Sequence, residues 1–202
     1  MSSNRGRTES RRGYDQRRVN TRPLRTRFLI VCEGEKTEPG YFKSFRVSKA
    51  VVDIRGLGYN TRSLVEKTIE ISNTGQYDQV WCVMDKDSFS DEIFNAALQL
   101  AKNNDIQVAY SNEAFELWYL LHFHYYNTGI TRQQYIDKLD GLLGSPYRKN
   151  RPDMYDLLTT LQRDAIRNAE NLLATYVPSQ PARDNPSTTV HLLVQELNKH
   201  SV

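Results

Sequence analysis

Glu33, Asp85 and Asp87 are the residues from which chemistry is most directly read. Glu33 follows the apolar run Phe28-Leu-Ile-Val-Cys32, and Asp85-Lys86-Asp87 follows Val80-Trp-Cys-Val-Met84. A carboxylate placed where a buried strand leaves the core is costly unless it is paired or meets a cation. Side chains alternate along an extended chain, so Asp85 and Asp87 point to one side while Lys86 points away. If the two strands are neighbours, Glu33 joins that pair, and like charges so close raise one another's pKa. A hard divalent ion resolves the conflict. Mg²⁺, with Mn²⁺ as its substitute, takes a few carboxylate oxygens, keeps waters and shares phosphate oxygens with a substrate. Two such ions about 4 Å apart would hold both the attacking and the leaving oxygen of a phosphodiester displacement.

Asp-x-Asp by itself also occurs in sugar-nucleotide transferases and aspartyl phosphotransferases, and a plain pair of surface acids at a strand end is the simplest alternative. An EF-hand loop starting at Asp85 would need Gly and Glu where Ser90 and Ala96 stand, which excludes it. Gly34-Glu35-Lys36-Thr37 resembles the tail of a phosphate-binding P-loop, but no glycine stands five residues before Lys36, so ATP hydrolysis by this chain is not expected. Lys36 and Thr37 remain placed to meet a substrate phosphate at a helix start. Glu35 and Glu38 are candidates for a second metal or for support of the first. Glu116, in the first turn of a helix, either ligates a second metal, orients a water, or stabilises the helix N-terminus. Arg148, Lys149 and Arg151 form a basic loop after Gly144 and Pro146, suited to a phosphate backbone or simply solvated. His122 and His124 face different directions on a helix and make a poor metal pair, His122 being the nearer to the site. Trp118, Tyr119, Tyr125 and Tyr126 either stack bases or pack a core, the latter being the ordinary use.

The elements that must position these groups follow from an alternation of short apolar runs and 3.6-period stretches, the pattern of βαβ units and a parallel sheet. Strands are predicted over 27–33, 50–55, 79–85 and 106–110. Helices are predicted over 37–47, from a cap at Asn60 or Thr61 to Gly75, and over 91–103 with Ile93, Phe94, Ala97, Leu98 and Ala101 inward. Ser111 or Asn112 is expected to cap a further helix through Phe115-Glu116-Leu117-Trp118. Beyond Gly129 only helices are read, over 132–142, 153–176 and 187–199. The stripe Met154, Leu158, Leu161, Ala165, Ala169, Leu172 and Tyr176 is assigned to core packing rather than to a coiled coil.

Composition sets the frame. The 202 residues suit one α/β domain with a helical appendage, and 39% hydrophobic residues with a mean hydropathy of −0.65 describe a soluble protein. The apolar run from Phe28 to Cys32 is far too short to span a bilayer. No secretory apolar core is seen near the start, and Cys32 and Cys82 sit inside predicted buried strands, so a cytoplasmic location with two free thiols is expected; a Cys32–Cys82 disulfide is the minor alternative. Residues 1–27 hold nine arginines against Glu9 and Asp15, a net +7, and the overall +3 therefore leaves −4 for the rest. The expected layout is a disordered Arg-rich arm over 1–26, a parallel-sheet α/β domain over 27–128 and a helical extension over 129–202. The arm either attracts nucleic-acid phosphates or serves as a solubilising or protein-docking tail.

Several segments together resemble the RloB family: Val31-Cys-Glu33-Gly34-Glu35-Lys36-Thr37-Glu38-Pro39-x-Tyr41-Phe42, Asp85-Lys-Asp87-Ser88-Phe89, Ser111-Asn112-x-x-Phe115-Glu116-Leu117-Trp118, Tyr147-x-Lys149-Asn150 and Asn185-Pro186-Ser187-Thr188. The resemblance runs in order over about residues 27–199. It implies a Toprim-like fold, a small parallel sheet flanked by helices. It also implies that Glu33 is the Toprim glutamate, acting as metal ligand or proton-transfer group, and that Asp85 and Asp87 are Mg²⁺ ligands. By the same resemblance the activity would be a Mg²⁺-dependent nuclease of prokaryotic antiviral, abortive-infection defence. Its substrate would be RNA, tRNA included, or DNA, and its partner an ATPase of the ABC or AAA type. One departure is Glu113, where the resemblance leads one to expect proline. A metal-dependent phospho- or nucleotidyltransferase and a non-catalytic adaptor of the ATPase stand as the alternatives. The sequence leaves open whether the chain forms a homo-oligomer.

Overall fold

The structure is a computed structural model that describes residues 25–47 and 52–201. The arm up to residue 24 and the expected start of the second strand at Ala50 lie outside the described residues. In chain order the elements are β1 (Phe28–Cys32), α1 (Thr37–Lys43), β2 (Val52–Gly56), α2 (Thr61–Ser72), β3 (Gln79–Asp85), α3 (Asp91–Asn103), β4 (Gln107–Asn112), α4 (Glu116–Phe123), α5 (Arg132–Leu143), α6 (Met154–Leu158), α7 (Gln162–Ala174), β5 (Ser187–Thr188) and α8 (Val190–Asn198), with a 3₁₀ turn at Thr159–Leu161 between α6 and α7. The strands form one sheet in the order β2-β1-β3-β4-β5. The expected architecture, a mostly parallel sheet flanked by helices with further helices after it, is the one the chain adopts.

All five residues of β1 are fully buried because the sheet is covered on both faces. Phe28, Ile30 and Cys32, with Trp81, Val83 and Ala109, face the core shared with residues of α1, α4, α5, α7 and α8. Leu29 and Val31, with Cys82, Met84 and Tyr110, face the layer of α2 and α3. The strand period of two thus turns a continuous apolar run into two separate cores. It also places Cys32 and Cys82 on opposite faces of the sheet, and both are free thiols.

The crossover from β1 through α1 leads to β2 on one side, and the return through α2 leads past β1 to β3 on the other. The direction of winding therefore changes between β1 and β3, and the crevice beyond their carboxyl ends is where open parallel sheets bind ligands. Register fixes the match: Cys32 lies opposite Val83, and Asp85 opposite Ser111.

Local signals set most boundaries. Asn60 caps α2 by accepting from the Ser63 N–H at 3.3 Å, and Ser90 caps α3 by accepting from the Ile93 N–H at 3.4 Å. Several boundaries differ from those read in sequence. The helix from Thr37 stops at Lys43, not at residue 47. Ile93 is 46% exposed, while Phe94, Ala97 and Ala101 carry the buried face of α3. The long helix over 153–176 is broken at Thr159–Leu161, where two adjacent β-branched threonines favour a turn over continued α-helix. Met154, Leu158, Ala165, Ala169 and Leu172 are nonetheless buried in the core.

The segment from Ser187 does not begin as a helix. Ser187 and Thr188 form β5, antiparallel to Asn112 and Ser111 at the edge of the sheet. Side-chain hydroxyls support this short pairing: Ser111 Oγ and Thr188 Oγ1 are 3.0 Å apart, and Thr189 Oγ1 accepts from the Tyr110 N–H at 2.9 Å. Ser111 and Asn112 consequently belong to β4 and do not cap the following helix. The Asn112 amide donates to the Asp184 carbonyl at 3.1 Å, and α4 starts after Phe115 without a side-chain cap.

Candidate active site

Beyond the carboxyl ends of β1 and β3 lies a cleft of about 340 Å³, lined by Glu33, Gly34, Glu35, Lys36, Thr37, Glu38, Asp85, Asp87, Glu116, Arg132 and Lys149. Six acids and three bases thus face one space. Of the acids and phosphate-binding bases expected from sequence, Arg148 and Arg151 fall outside this lining. They line a neighbouring groove with Ser145 and Pro146.

Glu33 is delivered by the sheet. Its N–H donates to the Val83 carbonyl at 2.9 Å, continuing the β1–β3 ladder, and its Oε2 accepts from the Asp85 N–H at 3.2 Å. Burial pushes its carboxyl up to about 7. The Asp85 N–H and Arg132 oppose that rise, while Glu38 and Asp87 reinforce it. Asp85 ends β3 and is likewise held well above the usual carboxylate range, first by burial and then by Glu38, Glu116 and Glu33, against the pull of Arg132. Lys86 is turned away as strand alternation requires: it is buried, donates to the Phe89 carbonyl at 2.5 Å and lies 3.5 Å from Asp91. Asp87 returns to the cleft side, its backbone N–H donating to the Glu113 carbonyl at 3.3 Å.

Glu38 enters from the first turn of α1. It is buried, and its Oε2 has no hydrogen-bond partner. Burial raises its pKa, Glu116 adds to the effect, and Lys149 and Arg132 offset part of it. The Glu38 carboxylate packs directly against Gly34, where a Cβ would collide with Oε2 and force the carboxylate to move. Gly56 is required by the backbone itself: a Cβ would meet the Gly34 carbonyl oxygen at 2.5 Å. Glu35 is exposed at the rim beside Gly58, which adopts a φ of +67°.

Glu116 is buried at the start of α4, and its Oε1 accepts from the Tyr147 hydroxyl at 3.3 Å. Tyr147 is in turn fixed through its N–H to Asp140 at 2.5 Å. The Thr37 hydroxyl donates to the Lys149 carbonyl, so Thr37 is committed to the loop. The basic loop is thereby tied to the cleft at two points. Lys149 faces into the cleft, and Arg151 is engaged with Asp153 at 2.7 Å and Ser145 at 3.0 Å.

Arg132 is the site residue that motif reading missed. Its Nη2 lies 2.8 Å from Asp85 Oδ2 and 3.3 Å from Asp87 Oδ2. Burial lowers its pKa, but Asp85, Asp87, Glu116 and Glu113 more than offset this, and the net direction is upward. It opens α5 directly after Thr131, which forms a capping box with Gln134. One sequence signal was available: a cation at a helix N-terminus opposes the helix dipole, so it calls for a nearby acid.

His122 lies away from the cleft. Its Nδ1 is 2.9 Å from the Trp118 carbonyl, and burial lowers its pKa to about 4. Trp118 and Tyr119 are buried core residues, whereas Tyr125 is exposed. Tyr126 packs on Tyr135 and lies under Lys138.

The donor set fits a hard divalent cation. It is all carboxylate oxygen, it includes an unpartnered buried Glu38 Oε2, and its members disfavour one another's charge. Among the described residues, no three His, Cys, Asp or Glu side chains are already arranged to hold one ion. Arg132 instead supplies the positive charge between Asp85 and Asp87.

Fold and cleft together define an α/β protein with an acidic site at the topological switch point of a parallel sheet. A family model described as RloB-like protein matches residues 28–197, and the chain belongs to that family. No curated protein gives a significant match. Among the described residues no helix is long and apolar enough to cross a membrane.

Proposed function

We propose that this chain is a Mg²⁺-dependent nuclease, with Glu33, Asp85 and Asp87 as the core of its site and Mn²⁺ as a working substitute. The observation that carries the reading is the convergence of six acids and three bases in one cleft at the β1–β3 switch point. When bound there, the divalent ion would supply Lewis acidity and charge neutralisation for a phosphodiester oxygen. Asp85 and Asp87, with Glu38 or Glu116 in support, would hold it. Glu33, whose carboxyl is pushed up to about 7, is suited to accept a proton from an attacking water near neutral pH. Lys36 and Lys149 on the rim would hold the phosphate backbone. The Tyr147 hydroxyl orients Glu116, and the Thr37 tie keeps Lys149 over the cleft. The biological setting proposed with this activity is cytoplasmic antiviral defence under the control of a partner ATPase, a reading supported by membership of the RloB-like family.

The test is cleavage of a panel of tRNA, other RNA and DNA by the purified protein with Mg²⁺ or Mn²⁺, beside Glu33→Ala and Asp85→Ala. Strand scission by the wild type and its loss in both variants is the expected result. Equal activity in all three proteins would refute the site assignment. Transfer of a nucleotide to an acceptor without scission would replace the nuclease by a nucleotidyltransferase.

A further inference from the structure

We propose that Arg132 is a tethered counter-ion, occupying the Asp85–Asp87 pair in exchange with the divalent cation and moving to the cleft rim when the cation binds. The inference rests on the metal site proposed above and adds a residue and a regulatory step to it. Six acids against three bases leave the cleft with a formal excess of three negative charges. Asp85 and Asp87 both face it, and one nitrogen of Arg132 spans them at 2.8 Å and 3.3 Å. That is the position in which a cation would neutralise the pair.

Three features mark the contact as exchangeable. The Arg132 side chain retains 32% of its exposure and the Asp87 side chain 36%, so the guanidinium has an open path outward. Arg132 is the first residue of α5, where the helix dipole disfavours a cation, so the acids and not the helix hold it in place. The Thr131–Gln134 capping box fixes the helix start without Arg132, and its release leaves α5 anchored. A guanidinium displaced to the rim of the same cleft is then placed for bidentate contact with a phosphodiester. The protein would therefore bind the ion weakly alone and more tightly once a substrate phosphate draws Arg132 away, since two ligands that relieve the same contact are positively coupled.

Mn²⁺ titration of the full chain by calorimetry, without nucleic acid, tests this in wild type, Arg132→Gln, Arg132→Lys and Asp85→Asn. Arg132→Gln is expected to bind Mn²⁺ about tenfold more tightly than wild type, equivalent to about 1.4 kcal/mol. Arg132→Lys, a shorter point charge, should fall between them. Methylguanidinium below denaturing concentrations should weaken Mn²⁺ binding to Arg132→Gln back toward the wild-type value. Equal or weaker binding in Arg132→Gln, with Asp85→Asn still abolishing it, would overturn the counter-ion role while keeping the metal site. If neither wild type nor Arg132→Gln binds Mn²⁺, both readings fall together. Should Arg132→Gln not fold, Arg132→Lys decides: tighter binding than wild type supports exchange, and unchanged binding overturns it.

Discussion

Glu33→Gln gives a quantitative test of the electrostatics of the cleft. The Glu33 carboxyl rises from 4.5 to about 7 on folding, chiefly through burial. The folded state therefore binds more protons than the unfolded chain between these values, and stability must fall as pH rises through that window. Fully expressed, that rise in pKa corresponds to about 3 kcal/mol. At pH 5 roughly a quarter of this destabilisation is already present, and at pH 8 nearly all of it, so the change across the interval is about 2–3 kcal/mol. A glutamine at this position cannot ionise and removes the contribution, together with the repulsion Glu33 exerts on Asp85. Urea denaturation at pH 5 and pH 8 with a chelator present would show the wild type losing about 2–3 kcal/mol more than Glu33→Gln. In thermal unfolding the same difference is roughly 5–10 °C for a chain of this size. Excess Mg²⁺ should largely cancel it, because a cation bound to the native state favours the ionised carboxylates. Superimposable pH profiles for the two proteins in chelator would refute both the burial of this charge and the repulsion assigned to it.

Three further substitutions probe separate parts of the cleft. Gly34→Ala must displace the Glu38 carboxylate, since the added Cβ would collide with its Oε2; we expect about 1–2 kcal/mol lost in denaturation and a cleavage rate reduced at least ~10-fold. Tyr147→Phe removes the 3.3 Å bond to Glu116; the expected loss of stability is about 1 kcal/mol, with a fall in kcat rather than a rise in KM, and unchanged kcat would mean that Glu116 needs no orientation. Lys149→Ala should weaken nucleic-acid binding in a salt-dependent way more than Arg148→Ala does, because Lys149 faces the cleft and Arg148 a neighbouring groove; equal effects in filter binding would show that the substrate spans both.

Much of the fold was legible because the apolar runs are two-sided. Phe28 to Cys32 has no polar residue to mark a solvent face, which among strands is the property of one covered on both sides. Asn60, one of the two caps read for α2, announced its start through the capping chemistry it goes on to perform. Strand β5 was not legible, because two residues carry no periodicity and its pairing is fixed by hydroxyl contacts to a strand far back in the chain, Thr188 meeting Ser111 across 77 positions. The break at Thr159–Leu161 was hidden for the opposite reason: the apolar spacing continues across it, and only the weak helix preference of Thr159-Thr160 hinted at an interruption.

The acids of the cleft and their counter-charges differed in legibility for one physical reason. A carboxylate that ends a buried strand stands against an apolar background, so Glu33, Asp85 and Asp87 could be singled out and their common side deduced from alternation. Arg132 comes from a helical segment whose basic residues look like any solvated surface, and Lys149 was readable only as one member of a basic loop suited to phosphate or simply solvated; they meet the rest of the cleft across 47 residues of chain to Asp85 and 112 to Thr37. Such meetings depend on how α5 and the following loop pack over the sheet end, which no local pattern encodes. Arg132 is a partial exception. Thr131 and Gln134 identify a helix start, and an arginine immediately inside it runs against the dipole by a few tenths of a kcal/mol or more. In a chain that gathers unpaired carboxylates at one sheet end, that local conflict is a signal, and the 2.8 Å contact between Arg132 and Asp85 is its resolution.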